Sequence, residues 1–412
     1  MNPGTNPPVT IVGGGPIGLT CALALAHRGI ACRLLEARPP RAATSTADRG
    51  DRRVIALSRG TLEILEALGV RDLAVAPITD VLVSSSGDFG SFRLRAGEFG
   101  TTRLGATVAF EDLSAALARA AAAQPRVSIE QPRRVRRIAQ RPDAVELELD
   151  DGRTHDARLV VDAEGRIDDG TAPQRGDGRP GSDMALVAEV ETGGIAEGVA
   201  IERFTRDGPL ALLPLPPGAA YASSAPDPAG AAGSAGRESR SMSLVWCMPR
   251  AVAQERVGLP PARFIDALNR VLGARMGRVL AATSPAQFPL TNRLRASIRD
   301  HRIVYVGNAA QTLHPVAGQG FNLGVRDCVT LAECLAEGVA DDCADPMAAL
   351  DTYTRRRRLD RRTIATITGA MPDLFASRLA PVAAVRSAGL ALFGVAAPLR
   401  RALGHVLMFG VR

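Results

Sequence analysis

The sequence contains no lysine, and all 50 of its basic residues are arginines. Against 43 acidic residues in a chain of 412, the net charge is +7, which is modest for this length. Exclusive use of arginine indicates a GC-rich genome rather than a nucleic-acid surface. The densest run, Arg355–Arg358 with Arg361 and Arg362, has no aromatic residues interleaved for base stacking. We therefore interpret it as a solvated helix and expect no nucleic-acid partner.

Metal-binding cysteine pairs and long apolar runs are missing as well. The six cysteines include no Cys-x-x-Cys pair and no Cys/His spacing typical of a metal site. Residues 1–8 lack the charged start and apolar core of a signal peptide. No uncharged apolar run reaches the ~18 residues that a transmembrane helix needs. These absences predict a reduced, cytoplasmic protein without a metal.

A glycine-rich turn near the start of the chain is typical of dinucleotide binding. The apolar run 9–12 predicts a strand, 19–28 a helix and 31–35 a second strand, which together form a βαβ-sized unit. Gly13 permits the tight turn, Gly15 lets the backbone approach a pyrophosphate, and Gly18 lets helix and strand pack closely. Pro16 and Ile17 belong to the same predicted contact surface.

An acidic residue follows the second predicted strand. Glu36 lies where a carboxylate accepts hydrogen bonds from ribose hydroxyls, and it would repel a 2′-phosphate. FAD or NAD therefore fits this unit better than NADP. The combination of strand, turn, helix and acid is stronger evidence for dinucleotide binding than the glycine pattern alone.

A second glycine-rich segment, residues 306–327, carries a resemblance to a known family. It reads VGNAAQTLHPVAGQGFNLGVRD, and the run 51–58, the stretch 208–214 and Phe288-Pro-Leu290 extend the likeness over most of residues 8–365. The segment resembles the second flavin-contacting motif of FAD-dependent aromatic hydroxylases (group-A flavoprotein monooxygenases). Within that group it is most similar to the ubiquinone-biosynthesis hydroxylases.

The chemistry of this segment suits a flavin. Asn308 would bring a short polar side chain to a ribityl or ribose hydroxyl, and Pro315 opens an extended wall that a flat ring can approach. A helix beginning near Gly320 would direct its positive end at the ring, where reduced flavin carries negative charge. The predicted contacts in this wall and helix are Pro315, Gly318, Gln319, Gly320, Phe321 and Asn322.

Three further positions are interpreted through the resemblance. Arg53 matches the family arginine that contacts the flavin nucleotide, and a fork of donors suits pyrophosphate, although a solvated loop arginine is the alternative. The family's central Asp-Gly motif is altered here to Asp162-Ala-Glu-Gly165, so the NAD(P)H contact is assigned to no residue. His314 either touches substrate or bonds to backbone, and no catalytic base is assigned.

The predicted fold is α/β, with a FAD-binding Rossmann-like domain, an inserted β-sheet substrate domain and a C-terminal helical region. The FAD-binding domain would comprise residues 1–183 and 285–345, with the substrate domain at 184–284 and the helices at 346–412. Residues 216–241, rich in Ala, Gly, Ser and Pro, are predicted to form a loop.

By resemblance, the protein is an FAD-dependent monooxygenase. NAD(P)H reduces the flavin, O₂ gives a flavin C4a-hydroperoxide, and oxygen is transferred to the phenol ring of a polyprenylated ubiquinone precursor. The resemblance also implies membership of a ubiquinone-biosynthesis complex and peripheral contact with the inner membrane. Three alternatives stay open: a hydroxylase of a soluble aromatic compound, a flavin-dependent reductase or dehydrogenase, and a non-catalytic flavin-binding assembly subunit.

Overall fold

In the computed structural model, the described residues are 9–39, 53–87, 90–165, 183–219, 239–273, 276–338, 346–377 and 379–411. The helices are α1 (Pro16–His27), α2 (Arg59–Ala67), α3 (Phe110–Ala122), α4 (Arg250–Val257), α5 (Pro261–Leu272), α6 (Gln319–Gly338), α7 (Met347–Ala376), α8 (Ala380–Val395) and α9 (Ala397–Phe409). The first strands are β1 (Val9–Val12), β2 (Cys32–Leu35), β3 (Val54–Ser58), β4 (Val75–Ile78), β5 (Asp80–Ser85), β6 (Ser91–Arg95), β7 (Gly105–Ala109), β8 (Val127–Glu130), β9 (Val135–Gln140), β10 (Val145–Leu149), β11 (Thr154–Ala157) and β12 (Leu159–Asp162). The later strands are β13 (Asp183–Gly193), β14 (Val199–Phe204), β15 (Pro209–Pro214), β16 (Ser239–Pro249), β17 (Arg278–Ala282), β18 (Ala286–Leu290), β19 (Arg293–Leu294), β20 (Arg299–Asp300), β21 (Ile303–Tyr305) and β22 (Gln311–Thr312).

A mostly parallel sheet organises the first part of the chain. Its order is β20-β21-β12-β1-β2-β8, with antiparallel pairing only between β20 and β21 among these strands. Ile11 and Leu34 face the core shared with α1, α3 and α6, whereas Val12 and Leu35 face the antiparallel sheet β11-β10-β9. Both faces are therefore covered, as a parallel sheet requires.

A larger sheet lies beside it, in the order β17-β13-β16-β15-β14-β5-β6, with β18 also paired to β13. One face packs on α4 and α5 around Trp246, Leu244 and Leu268. The predicted boundaries 184–284 contain most of its strands, but β5, β6 and β18 come from outside that range. The substrate-domain boundaries stay a prediction, and this sheet draws on three parts of the sequence.

The C-terminal helices pack against the end of the large sheet. Phe204 of β14 stacks on Phe375 of α7 with ring centroids 3.8 Å apart. Leu390 and Met408 belong to the same buried cluster. Two small sheets, β3-β7-β4 and β19-β22, connect the larger units.

The predicted α/β class with a C-terminal helical region is confirmed. The helix predicted from Gly320 begins one residue earlier, at Gln319, and α5 ends at Leu272 because Gly273 takes a φ of +72°. Most of the predicted loop 216–241 lies outside the described residues, and β16 already begins at Ser239. Among the helices that the structure describes, none is by itself long and apolar enough to cross a membrane; α8 and α9 meet such a test only as a pair bent by 94°.

Candidate functional site

The first glycine-rich turn joins β1 to α1 under tight steric limits. Gly13 has a φ of +103°, and a Cβ there would lie 2.8 Å from the carbonyl oxygen of Ala163. A Cβ on Gly18 would lie only 1.8 Å from the carbonyl oxygen of Gly13. Gly13 therefore permits the tight turn, and Gly18 permits the close approach of α1 to the backbone that follows β1.

The start of α1 is open to an anion. The N-cap residue is Gly15, which has no side chain to cap the helix. The first turn of α1 also carries no acidic residue. A Cβ built on Gly15 meets no atom within 4 Å. A pyrophosphate fits this site, because the helix start offers backbone N–H groups and a positive dipole end that no acidic side chain compensates. The space beside Gly15 would admit it.

Glu36 follows β2 and turns back to the same loop. One carboxylate oxygen accepts a hydrogen bond from Gly14 N at 2.7 Å, and the other accepts from Arg38 N at 2.8 Å and from Arg38 Nε at 3.1 Å. Burial opposes ionisation of this carboxyl, but the hydrogen bonds from Arg38 and Gly14 outweigh it and lower the pKa of Glu36. Glu36 is thus an ionised acceptor at neutral pH, suited to ribose hydroxyls.

The second glycine-rich segment meets the first through Ile17. A Cβ on Gly307 would lie 2.9 Å from Ile17 Cγ2, and one on Gly324 would lie 2.7 Å from Ile17 Cδ1. Because β1, β12 and β21 run parallel, their carboxyl ends share one sheet edge. The structure therefore brings both predicted motifs to the edge where doubly wound sheets bind nucleotides.

The predicted flavin-contacting side chains differ in what they do. Asn322 is buried, and its side chain bonds to Ser58 N, Ala56 O and Gly318 O, so it holds β3 against α6. Gln319 donates to the carbonyl oxygens of Ala317 and Leu407, while its Oε1 is buried without a hydrogen-bond partner in the described part of the chain.

The remaining predicted contacts are distributed around the same edge. Gly320 has no atom within 4 Å of a built Cβ, Phe321 packs on the core of the parallel sheet, and Asn308 is exposed. Arg53 is exposed, with its guanidinium 4.9 Å from the Phe110 ring centroid.

These residues fit FAD. The open spaces beside Gly15 and Gly320 and the orphaned Gln319 oxygen are features that a bound cofactor would use. Each residue's contact with FAD remains a prediction.

Asp162 and His314 have defined local roles. Asp162 ends β12 and accepts a hydrogen bond from Glu164 N at 3.0 Å, so it shapes the altered central motif. His314 Nδ1 accepts from Val316 N at 3.4 Å, and burial lowers the pKa of His314 to about 4. His314 is therefore a neutral, backbone-bonded residue, one of the two readings that the sequence left open.

Glu202 is a candidate site residue that no sequence motif indicates. It lies on β14, and its carboxyl accepts a hydrogen bond from the backbone N–H of Ala317 in the second segment. Burial raises the pKa of Glu202 to about 8, although the hydrogen bond acts in the opposite direction. The available signal was the only acid of the predicted strand Val199–Phe204, which also contains Arg203.

The arginine run on α7 is not the solvated face that its composition suggested. Arg357 is only 4% exposed and its Nε contacts Asp327 at 2.7 Å, while Asp360 pairs with Arg326 at 2.8 Å. Arg361 donates to Gln311 Oε1. The solvated-helix interpretation is wrong for both residues: Arg357 pairs with the buried acids Asp327 and Asp360, and buried Arg361 donates to Gln311 and to backbone carbonyls.

Comparison with known proteins agrees with this arrangement. Residues 6–366 match the family described as FAD binding domain. The chain is 32% identical over 401 residues to ubiquinone hydroxylase UbiL of Rhodospirillum rubrum, covering 95% of this chain and 87% of the relative. It is 28% identical to 3-demethoxyubiquinol 3-hydroxylase of Escherichia coli, covering 96% and 97%. The structure of p-nitrophenol 4-monooxygenase PnpA from Pseudomonas putida shares the fold, with a TM-score of 0.70, 19% identity and 98% of both chains covered.

Proposed function

Because this chain belongs to the FAD binding domain family, among relatives that include ubiquinone hydroxylases, we propose that it hydroxylates the phenol ring of a polyprenylated ubiquinone precursor. FAD is the cofactor, O₂ the oxygen source and NAD(P)H the proposed electron donor. The single observation that carries the substrate proposal is the apolar face of the large sheet, which packs against the predicted flavin-contacting segment. Val83 and Phe204 of that sheet share a buried cluster with Val316.

The residues of this chain have distinct tasks in the reaction. The open backbone at Gly15 and the Glu36 carboxylate would hold the pyrophosphate and ribose, and the segment 315–320 would lie along the flavin ring. Bound flavin supplies the redox and oxygen-transfer chemistry. The apolar sheet face would hold the aromatic ring and exclude water, which limits loss of activated oxygen to solvent.

Anaerobic spectroscopy of the purified protein tests the proposal. Flavin absorption should bleach on addition of NADH or NADPH, and in air a short-chain prenylphenol should gain one hydroxyl group. Preference for small water-soluble phenols would favour the soluble-substrate alternative. Flavin that binds but is never reduced, with or without prenylphenol, would favour the non-catalytic assembly subunit. A protein that binds no FAD would refute the assignment altogether.

We also propose that α8 and α9 rest on an anionic bilayer, from which a polyprenylated substrate would enter. These helices expose large apolar side chains, with Leu379 before α8 67% exposed, Val385 69% and Val395 83%. From residue 374 to the end, the sequence has five arginines and no acidic residue. Of these, Arg386 is buried against backbone carbonyls and Arg400 pairs with Glu98, so the positive charge offered to lipid comes from the other arginines. Apolar side chains and positive charge together are what an interfacial helix uses on anionic lipid.

Vesicle sedimentation tests this surface. The FAD-loaded protein should sediment with vesicles of anionic phospholipid and much less with zwitterionic ones, and the double variant Val385→Ser/Val395→Ser should lose binding. Leu280→Ser is the matched control, because Leu280 is 50% exposed but lies on β17. Equal binding by both variants would contradict the proposal.

Membership of a ubiquinone-biosynthesis complex is a separate proposal, tested by co-purification of the tagged chain with other proteins of that pathway.

A further inference from the structure

Glu202 is a carboxyl group set among apolar neighbours on the large sheet. Across the strands its row contains Val83 of β5, Ala211 of β15 and Val245 of β16. The residue is only partly exposed, and in the described part of the chain no ion pair is recorded for it. Burying a carboxyl group without full hydrogen bonding costs folding stability. A functional role would account for its presence among apolar neighbours.

The partner of Glu202 belongs to the flavin-contacting segment. The N–H of Ala317 donates to the carboxyl, and the carbonyl oxygen of the same residue accepts from Gln319 Nε2 at 3.2 Å. Ala317 has a φ of +57°, a left-handed conformation that is uncommon for alanine. Glu202 thus bridges the large sheet and the segment 315–320, where a substrate ring and a flavin ring would meet.

The surroundings of Glu202 favour its neutral form. The titratable side chain that faces it from β16 is Cys247, whose pKa is raised by burial and then by the charges of Glu202 and Asp183. Its neighbours on β5 and β15 are apolar, and residues 315–320 carry no titratable side chain. Burial raises the pKa of the Glu202 carboxyl, and no described cation faces it to counter that effect, so both features favour the protonated form. A neutral carboxyl that accepts from Ala317 through its carbonyl oxygen still has an O–H to donate.

We propose that Glu202 is a substrate-binding residue that acts as a neutral acid and donates its O–H to a ring oxygen of the phenol. The inference rests on the proposed function, since it supplies a polar anchor on the apolar sheet face that would hold the aromatic ring. Its proton stays on the carboxyl in this role, so no bond is broken. Ionisation removes the donor and places a negative charge beside the oxygen lone pairs. Glutamine reproduces the neutral pattern, because its carbonyl accepts and its amide donates.

Binding measured without turnover tests this role. The FAD-loaded protein would be titrated calorimetrically with 2-prenylphenol, without NAD(P)H, between pH 6 and pH 9. The probe's hydroxyl ionises near pH 10, as that of tyrosine does, so it stays neutral over this range. For the wild type, Kd should rise about tenfold from pH 6 to pH 9, as the neutral fraction of the carboxyl falls.

Three variants separate this role from others. Glu202→Gln should keep the pH 6 affinity and lose the pH dependence, whereas Glu202→Leu should weaken binding about tenfold at every pH. Glu191→Gln should follow the wild type, because Glu191 is an exposed carboxylate of the same sheet. FAD affinity and melting temperature report whether each variant folds; if Glu202→Leu does not, the pH profile of Glu202→Gln still decides.

Several results would overturn the inference. Binding that tightens as pH rises, or a Glu202→Gln variant that loses affinity, would indicate an ionised base. A wild type that hydroxylates prenylphenol with no pH dependence of Kd would leave the proposed function standing and refute the role of Glu202. A wild type that neither binds nor hydroxylates prenylphenol would refute both.

Discussion

Three glycine-to-alanine substitutions distinguish glycines that serve the cofactor from glycines that serve the fold. A methyl group on Gly15 or Gly320 enters open space, whereas one on Gly18 would lie 1.8 Å from the carbonyl oxygen of Gly13. We therefore expect Gly15→Ala and Gly320→Ala to fold normally without FAD but to bind it poorly. Gly18→Ala should already be destabilised without FAD.

The magnitudes follow from the local geometry. Gly15 has φ −69° and ψ 176°, which alanine adopts freely, so its substitution should stabilise the FAD-free protein by about 0.5 kcal/mol. Gly320 lies in the first turn of α6, where alanine is favoured over glycine by up to about 1 kcal/mol. Relieving the Gly18 clash requires a backbone shift between β1 and α1, costing about 3 kcal/mol.

Flavin fluorescence titration and thermal unfolding of the FAD-free protein give the two measurements. Each open-space variant should raise the FAD Kd at least tenfold, because the methyl group separates the cofactor from a backbone donor worth about 1.5–3 kcal/mol. Their melting temperatures without FAD should stay at or slightly above the wild-type value. Wild-type FAD affinity in both variants would refute the proposed path of the cofactor along these two glycines.

Three further predictions concern buried charge and pH. Asp360→Asn should destabilise the protein by about 3 kcal/mol in urea unfolding, since it leaves buried Arg326 without its ion-pair partner and removes one of the two partners of Arg357. Asp351→Asn at an exposed pair should cost under about 1 kcal/mol, and equal effects would contradict the buried network. Because the pKa of His314 is lowered to about 4 in the folded protein, the unfolded chain binds this proton first as pH falls below 6.5. About 3 kcal/mol of folding stability should therefore be lost between pH 6.5 and pH 4. His314→Asn should reduce that loss, whereas His405→Asn should not. Glu36→Gln should weaken FAD binding about tenfold at pH 7, and an unchanged titration would exclude Glu36 from the ribose site.

Prediction from the sequence succeeded best for features that depend on local backbone geometry. The turn from β1 to α1, the acid after β2 and the start of α6 all follow from short-range patterns, and the structure places them at one sheet edge. Asn322 shows the limit of this reasoning, because its amide bonds to β3, more than 250 residues earlier. A polar residue in a motif can serve the scaffold that presents the cofactor site.

Contacts between residues far apart in the sequence account for the other differences between the predicted and the observed structure. β5 joins the large sheet through β14, more than 100 residues later, so no local pattern places it in that sheet. The arginines of α7 have the spacing of a solvated helix, but Asp327 on α6 draws Arg357 into the interior. Glu202 gains its significance only from contact with Ala317, which belongs to a different motif.

The Ile17 contact also bears on how the protein is made. Its side chain lies between Gly307 and Gly324, so the first motif is completed by residues synthesised about 300 positions later. At roughly 5–20 residues per second, that interval lasts about 15 to 60 seconds. Throughout it, the nascent βαβ unit exposes apolar surface that α6 later covers. Capture of FAD therefore belongs to the end of biosynthesis, and the cofactor cannot cover this apolar surface while the chain is being made.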